Sequence, residues 1–70
     1  MATKKSLEEN LTKVSGVSVW ISFARTNMVA IAWYSKNDSA FEKLQSYFNG
    51  ILFDYDYNEE CDTSVCYLNT

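Results

Sequence analysis

The side chains in this 70-residue chain that are best suited to chemistry are five carboxylates near its end. Asp54 and Asp56 alternate with aromatic residues, and Glu59, Glu60 and Asp62 follow at once. Residues 54–70 contain no Lys or Arg and carry a net charge of −5, whereas the preceding residues carry four acids and six bases. Four uses of these acids are open: a metal loop, a catalytic pair, a surface for a basic partner, or solubility.

The metal interpretation starts from Asp54-x-Asp56-x-Asn58, which matches the opening of an EF-hand loop. The match ends at the sixth position, which requires Gly and is Glu59, and at the twelfth, which requires Glu and is Val65. The preceding residues also have the pattern of a strand, where an EF-hand has a helix. We therefore expect no dedicated metal site and no cofactor, and leave open a weak, adventitious divalent site.

The two cysteines, Cys61 and Cys66, do not complete a zinc site, because four ligands are needed and the chain has no histidine. A reducing cytosol would also disfavour a disulfide between them. We predict two ordinary thiols, with that of Cys66 half buried in a strand.

The catalytic interpretation needs two carboxylates whose environments drive their pKa values apart. Asp54 and Asp56 are expected to be same-face neighbours on a strand, roughly 7 Å apart, on a wet surface. The chain also lacks histidine, a glycine-rich phosphate loop and a G-x-S-x-G elbow. We therefore predict that the protein is not an enzyme.

The first half of the chain has the pattern of a helix followed by two strands. A capping box at Ser6–Glu9 predicts a helix over about 7–15, and Gly16 can end it in a left-handed conformation. From Val17 the apolar residues alternate with a period of two, which predicts a strand. After a turn, residues 28–34 resume the alternation and complete a hairpin.

The second half repeats this order about 33 residues later. Ser39–Glu42 forms a second capping box, and Asn49-Gly50 is a typical helix end. Residues 51–57 and 64–68 have strand patterns. The sequence therefore consists of two αββ halves.

This order predicts an α+β fold: a two-layer α/β sandwich with a four-stranded, mainly antiparallel sheet and two helices on one face. A ferredoxin-like βαββαβ unit whose first strand is moved to the end gives the same order, so we favour a permuted ferredoxin-like topology. Two αββ units joined at a sheet edge are the alternative. We expect a single domain over residues 1–70, with 1–5 as a frayed arm.

Such a sandwich leaves one sheet face uncovered, and strand parity predicts which residues lie on each face. The helix-facing set is predicted to be Val17, Val19, Ile21, Phe23, Val29, Ile31, Trp33, Ile51, Phe53, Tyr55 and Tyr57. The uncovered set is predicted to be Ser18, Trp20, Ser22, Ala30, Ala32, Tyr34, Leu52, Asp54 and Asp56.

The uncovered set favours protein binding. Trp20, Tyr34 and Leu52 are large side chains in a patch of low charge, as in protein interfaces. Asp54 and Asp56, continued by the three acids that follow, form a line of negative charge resembling a nucleic-acid backbone, which suits a Lys/Arg-lined groove. The favoured hypothesis is a small acidic inhibitor or adaptor that docks on a basic, nucleic-acid-handling protein and does not itself bind nucleic acid.

Compact acidic domains of this kind are frequent among phage anti-defence factors, including anti-CRISPR proteins and DNA mimics. The chain is similar to them in size and charge and carries no motif of such a family. It also departs from dedicated DNA mimics, which tend to be acidic throughout, because residues 1–53 have a net charge of +2.

Three alternatives stay open. The protein could pair with its own copy through the Trp20 face as a structural homodimer. It could stack RNA bases on Trp20 and Tyr34, although Asp54 and Asp56 on the same face would repel the RNA backbone. The acids could also simply deter aggregation at a sheet edge.

The sequence also bears on the compartment. Its apolar stretches are too short for a membrane span, and no export signal is visible. We therefore expect no membrane partner and a cytoplasmic location, in a host cell if the protein is phage-encoded.

Overall fold

A computed structural model describes residues 4–69 of the chain. The elements follow the order αββαββ: α1 (Lys4–Ser15), β1 (Val19–Ala24), β2 (Met28–Tyr34), α2 (Asp38–Tyr47), β3 (Phe53–Asn58) and β4 (Thr63–Asn69). The helices pack on one face of the sheet through a shared apolar core. The predicted α+β sandwich is confirmed.

The four strands form one antiparallel sheet in the order β1-β2-β4-β3. A permuted ferredoxin-like arrangement has this order. The strand that is moved to the end of the chain becomes β4, and it keeps its place inside the sheet. The alternative of two joined αββ units describes the same sheet. The strands that pair where the units meet are β2 and β4, and each is the last strand of its αββ half. The two predicted topologies are therefore one.

The two halves are related by an approximate two-fold axis between Ile31 and Cys66. These residues are partners at the centre of the β2–β4 ladder, with Met28 opposite Asn69 at one end and Tyr34 opposite Thr63 at the other. The register is therefore symmetric about its centre. The αββ repeat predicted from the sequence is real in three dimensions.

Helix α1 begins earlier than predicted. It starts at Lys4, so Lys4 and Lys5 belong to the helix and not to a frayed arm. Ser6 consequently lies inside the helix and is not its N-cap. The rest of the predicted arm, residues 1–3, lies outside the described residues.

Helix α2 also starts before its predicted cap. Asn37 is the N-cap, and its side-chain oxygen accepts a hydrogen bond from the Ala40 amide at 3.1 Å, so Ser39 lies inside the helix. This start places Asp38 in the first turn, where its negative charge interacts favourably with the helix dipole and stabilises the helix. The predicted end is confirmed, because Asn49 and Gly50 have φ values of 59° and 80°.

The core lies between the helices and one face of the sheet. Leu11 and Leu44, one from each helix, are fully buried together with Trp33 of β2. Tyr55 stacks on Trp33 at a centroid distance of 5.8 Å and on Phe41 of α2 at 4.3 Å. Cys66 is also fully buried, where half burial was predicted.

A bulge in β1 changes the predicted faces. Ile21 is opposite Ile31 and Phe23 is opposite Ala30, so Ser22 is an extra residue on β1. Directly opposed residues share a face of the sheet. Phe23 therefore lies with Ala30 on the uncovered face, and its predicted position against the helices is wrong.

A second bulge does the same in β3. Phe53 is opposite Tyr67 and Asp56 is opposite Val65, so β3 has one residue more than β4 between these pairs. Asp54, with φ of 54°, adopts the left-handed conformation within this bulge. Phe53 shares the uncovered face with Tyr67, and its predicted position against the helices is also wrong.

The predicted positions of Ile51 and Leu52 are reversed. Ile51 is 56% exposed, whereas Leu52 is 5% exposed and belongs to the core. The β3 bulge is the reason, because it leaves Phe53 on the uncovered face and alternation then places Leu52 on the helix face. The Gln45 side chain also holds the Leu52 backbone, accepting from its N–H at 2.8 Å and donating to its carbonyl at 2.9 Å.

Candidate functional site

The five carboxylates predicted as a site lie together at one edge of the molecule. Strand β3 is an outer strand of the sheet, and the loop after it leads back into β4. All five acidic residues are exposed. We call this set, which consists of Asp54, Asp56, Glu59, Glu60 and Asp62, the acidic edge.

Asp54 and Asp56 hold different positions within this edge. Asp56 is opposite Val65, on the uncovered face of the sheet. Asp54 lies in the bulge with a positive φ, a conformation that Asp tolerates better than most residues. The two carboxylates are therefore not the regularly spaced strand neighbours that the sequence predicted.

The carboxylate of Asp62 is occupied within the protein. It accepts hydrogen bonds from the Tyr57 hydroxyl at 2.5 Å and from the Ser35 hydroxyl at 3.3 Å. The hydrogen bond to Asp62 raises the pKa of Tyr57 to about 12, because it favours the protonated phenol. Ser35 N–H also donates to the Asp62 carbonyl at 2.7 Å. Asp62 thus fastens the β3–β4 loop to the end of β2.

The same loop has two further internal hydrogen bonds. The Asn58 side chain accepts from the Glu60 amide, and the Thr63 hydroxyl donates to the Cys61 carbonyl, both at 2.9 Å. Glu59 and Glu60 are thereby presented on a hydrogen-bonded turn. A preorganised loop loses less conformational entropy when it binds.

Trp20 and Tyr34 lie on the uncovered face, as predicted, and contact each other. Their ring centroids are 4.6 Å apart with a tilt of 46°. Tyr34 is 65% exposed and Trp20 is partly buried. Leu52, the third predicted anchor, is in the core and does not contribute to this face.

A second aromatic group on the same face was missed by sequence reasoning. Tyr67 lies between Phe23 and Phe53, with centroid distances of 6.2 and 5.9 Å. With Met28 and Asp54 these three rings line a cleft of about 250 Å³, which we call the aromatic cleft. In the sequence, only Tyr67 could have indicated this group, because the regular alternation of β4 places it on the uncovered face. The positions of Phe23 and Phe53 depend on the two bulges.

Small residues separate the two aromatic groups. Ala30 and Ala32, at the centre of the uncovered face, are 1% and 2% exposed. Trp20 lies opposite Ala32, and Phe23 lies opposite Ala30. The large neighbours thus shield the alanines, and the uncovered face presents its aromatic groups at two separate places.

The remaining reactive groups include the two cysteines and Tyr55. Among the described residues, no group of three or more metal-binding side chains could hold an ion. Both cysteines are free, and burial raises the pKa of the Cys66 thiol to about 12, which keeps it protonated and poorly nucleophilic. Burial, and then a hydrogen bond from its hydroxyl to Asp38 at 2.9 Å, raises the pKa of Tyr55.

Comparisons with other proteins leave the site to be interpreted from its own geometry. No protein-family model, curated protein or solved structure matches the chain. In the part of the chain that the structure describes, no helix is both long enough and apolar enough to cross a membrane.

Proposed function

We propose that this protein is a small inhibitor or adaptor that binds a basic, nucleic-acid-handling protein through its acidic edge. The observation that carries the proposal is the position of Asp54, Asp56, Glu59 and Glu60, which are exposed on an outer strand and the ordered loop that follows it. Among the described residues, the hydrogen bonds engage only one of the five carboxylates of the edge, that of Asp62. The other four are available to a partner.

Partner binding explains the segregation of charge better than solubility does. Solubility requires a net charge but not its concentration in the last 17 residues, where neighbouring acids repel one another. A concentrated negative edge would steer a basic partner into contact. The neighbouring aromatic groups would then supply apolar contact area.

The proposed mechanism of inhibition is competition with nucleic acid. A groove that binds a phosphate backbone is lined with Lys and Arg, and a row of carboxylates can occupy it in place of phosphates. A phage-type anti-defence factor, of the anti-CRISPR or DNA-mimic style, would act in this way in the cytoplasm of its host. The same edge would repel free nucleic acid.

The test is affinity capture from a nuclease-treated bacterial lysate with three forms of the protein. The first is the wild type, and the second carries Asp56→Lys and Glu60→Lys. The third carries Glu9→Lys and Glu42→Lys on the helices, which changes the net charge equally. Asp54 is left in place because its backbone is left-handed. Lys at this position would add backbone strain, and its effect could not be separated from that of the lost negative charge.

We expect one basic, nucleic-acid-binding protein to be retained by the wild type and the helix variant and lost from the edge variant. Moderate salt should release it, because exposed charges are screened. The purified target should also lose its nucleic-acid binding when the wild type is added. Capture that survives the edge substitutions would contradict the proposal.

A second candidate function, self-association through the Trp20 face, is favoured by the exposed Trp20–Tyr34 contact. Tyr34 is 65% exposed, and an aromatic pair of this kind is a typical hot spot. In this case sedimentation would show a dimer that Trp20→Ala weakens by about 2 kcal/mol or more. The edge substitutions would leave that dimer intact.

A further inference from the structure

The aromatic cleft is lined by aromatic residues and by an acidic residue. Phe23, Phe53 and Tyr67 supply three rings, and Asp54 lines the same cleft. Its volume of about 250 Å³ is below that of most small-molecule pockets but suits one long side chain. Its place on the uncovered face, beside the acidic edge, makes it accessible to a docked protein.

The β3 bulge is what brings Asp54 to the rings. Successive residues of a regular strand point to opposite faces. Phe53 and Asp54 nevertheless line one cleft, because Asp54 occupies the bulge with φ of 54°. In the first half of the chain the corresponding residue is Ile21, whose side chain is buried in the core. The charged cleft is thus specific to the second half.

This combination selects for a cation. The face of an aromatic ring is negative and attracts ammonium and guanidinium groups. An apolar side chain in the cleft would remove water from Asp54 without giving its carboxylate a partner, which is costly. A guanidinium can stack on a ring and also donate two parallel hydrogen bonds to a carboxylate, so arginine suits both features.

The protein already places one guanidinium on this aromatic group. The guanidinium carbon of Arg25, in the turn between β1 and β2, lies 5.0 Å from the centroid of the Phe23 ring. This distance is within the range of a cation–π interaction. The cluster therefore attracts an arginine of the chain itself at one of its three rings, and Phe53 and Tyr67 lie beside it.

We propose that the aromatic cleft is a socket for an arginine side chain of the basic partner, with its guanidinium against Tyr67 and Phe53 and hydrogen-bonded to the Asp54 carboxylate. The inference rests on the proposed function and adds the chemical class of the residue that the partner inserts. The acidic edge would attract the partner over distance, and the cleft would fix its position.

The test is an NMR titration with N-acetyl-argininamide, in which the ring signals of Phe53 and Tyr67 are followed. Its uncharged citrulline analogue and its lysine analogue are the comparison probes. We expect saturable shifts at the two rings, with citrulline binding at least about tenfold more weakly and lysine in between. Tyr67→Leu and Asp54→Asn should each weaken arginine binding by about tenfold, since Asn also tolerates the left-handed backbone. Tyr34→Leu, at the other end of the face, should leave binding unchanged.

Several outcomes would overturn the inference: equal binding of citrulline, no saturable shift at Tyr67, or shifts at Glu59 and Glu60 that Tyr67→Leu does not alter. Capture separates this failure from that of the proposed function. A partner that is lost with the edge substitutions but is unaffected by Tyr67→Leu would retain the function and remove the socket. Arginine binding in the cleft without any captured basic protein would retain the socket and remove the function.

Discussion

The two αββ halves build the same scaffold but finish their outer strands differently. In the first half, Glu8 of α1 accepts a hydrogen bond from the Ile21 amide of β1 at 2.7 Å. In the second half, Phe41 of α2 takes the corresponding place and stacks on Tyr55 of β3, with centroids 4.3 Å apart. One helix thus holds a backbone amide of its outer strand by a charged hydrogen bond, whereas the other stacks on Tyr55, whose hydroxyl also donates to Asp38 of α2.

A second pair of contacts is shared by the halves. The Thr12 hydroxyl lies 3.0 Å from the Val19 N–H and 3.5 Å from its carbonyl. The Gln45 side chain makes the corresponding two bonds to Leu52, at 2.8 and 2.9 Å. In both halves a helix side chain hydrogen-bonds to the backbone N–H and carbonyl of one residue, which lies at the start of the outer strand or directly before it.

The comparison shows how one scaffold can hold two different edges. Unpaired backbone groups on an outer strand invite pairing with other chains, and proteins protect them by covering or charging the edge. Both outer strands carry a bulge, but they differ in charge: Glu8 of α1 accepts from the Ile21 amide of β1, whereas β3 itself carries exposed carboxylates. The first solution closes an edge, and the second also leaves a charged surface that a partner can use.

The largest effect is expected where the halves are most alike. Leu11→Ala and Leu44→Ala each remove a fully buried side chain, and we expect each to lower the free energy of unfolding by about 2–5 kcal/mol. Urea unfolding would measure both, with the partly exposed Leu7→Ala as a milder control. A loss below about 1 kcal/mol at one of the two buried sites would show that the halves do not share the core equally.

The next effect should be confined to the first half. Glu8→Ala leaves the buried Ile21 amide without its acceptor, and we expect a loss of about 1–3 kcal/mol in unfolding free energy. Glu8→Gln retains an acceptor and should lose less. The uncovered β1 edge should also promote association, visible by sedimentation. If Glu8→Ala proved as stable and as monomeric as the wild type, Glu8 would not be closing the edge.

A smaller effect distinguishes the two shared contacts. Gln45→Ala should cost about 1 kcal/mol, because it removes two short hydrogen bonds to a buried backbone. Thr12→Ala should cost less, since its bonds are longer and Ala is the better helix former. The midpoints of thermal unfolding would rank the variants, and the reverse order would refute this assignment.

The effect that is smallest at neutral pH, where it is absent, belongs to the second half. The pKa values of Cys66 and Tyr57 are raised from 9.0 and 10.0 to about 12 by folding. Both groups stay protonated in both states well below pH 9, the pKa of the unfolded Cys66 thiol. As the pH rises towards 12 the unfolded chain loses these protons first, so stability should fall across this window.

Urea unfolding at a series of pH values would measure this decline. Cys66→Val with Tyr57→Phe should flatten it, because neither replacement titrates. The corresponding positions of the first half, Ile31 and Ala24, do not titrate either. An equally steep decline in the double variant would place the alkaline sensitivity elsewhere in the molecule.

Local signals in the sequence were sufficient for the order of elements and the exposure of the acids. Helix ends follow from short-range backbone chemistry, as at Asn49-Gly50, and so they were predictable. The N-caps were less so, because Asn37 and Ser39 are both competent caps and the choice depends on where the helix docks. Asp54 and Asp56 are exposed as predicted, because a carboxylate is rarely buried without a partner.

The sequence alone thus determined two αββ halves, their sandwich and the concentration of charge in the second half, since periodicity and composition are properties of the chain itself. The tertiary structure decided the bulges, and with them the side on which Phe23 and Phe53 lie. It also decided the burial of Leu52 and the aromatic cleft beside Asp54. Parity predicts a face only while pairing is regular, and one extra residue, set by contacts with other strands and helices, reverses it.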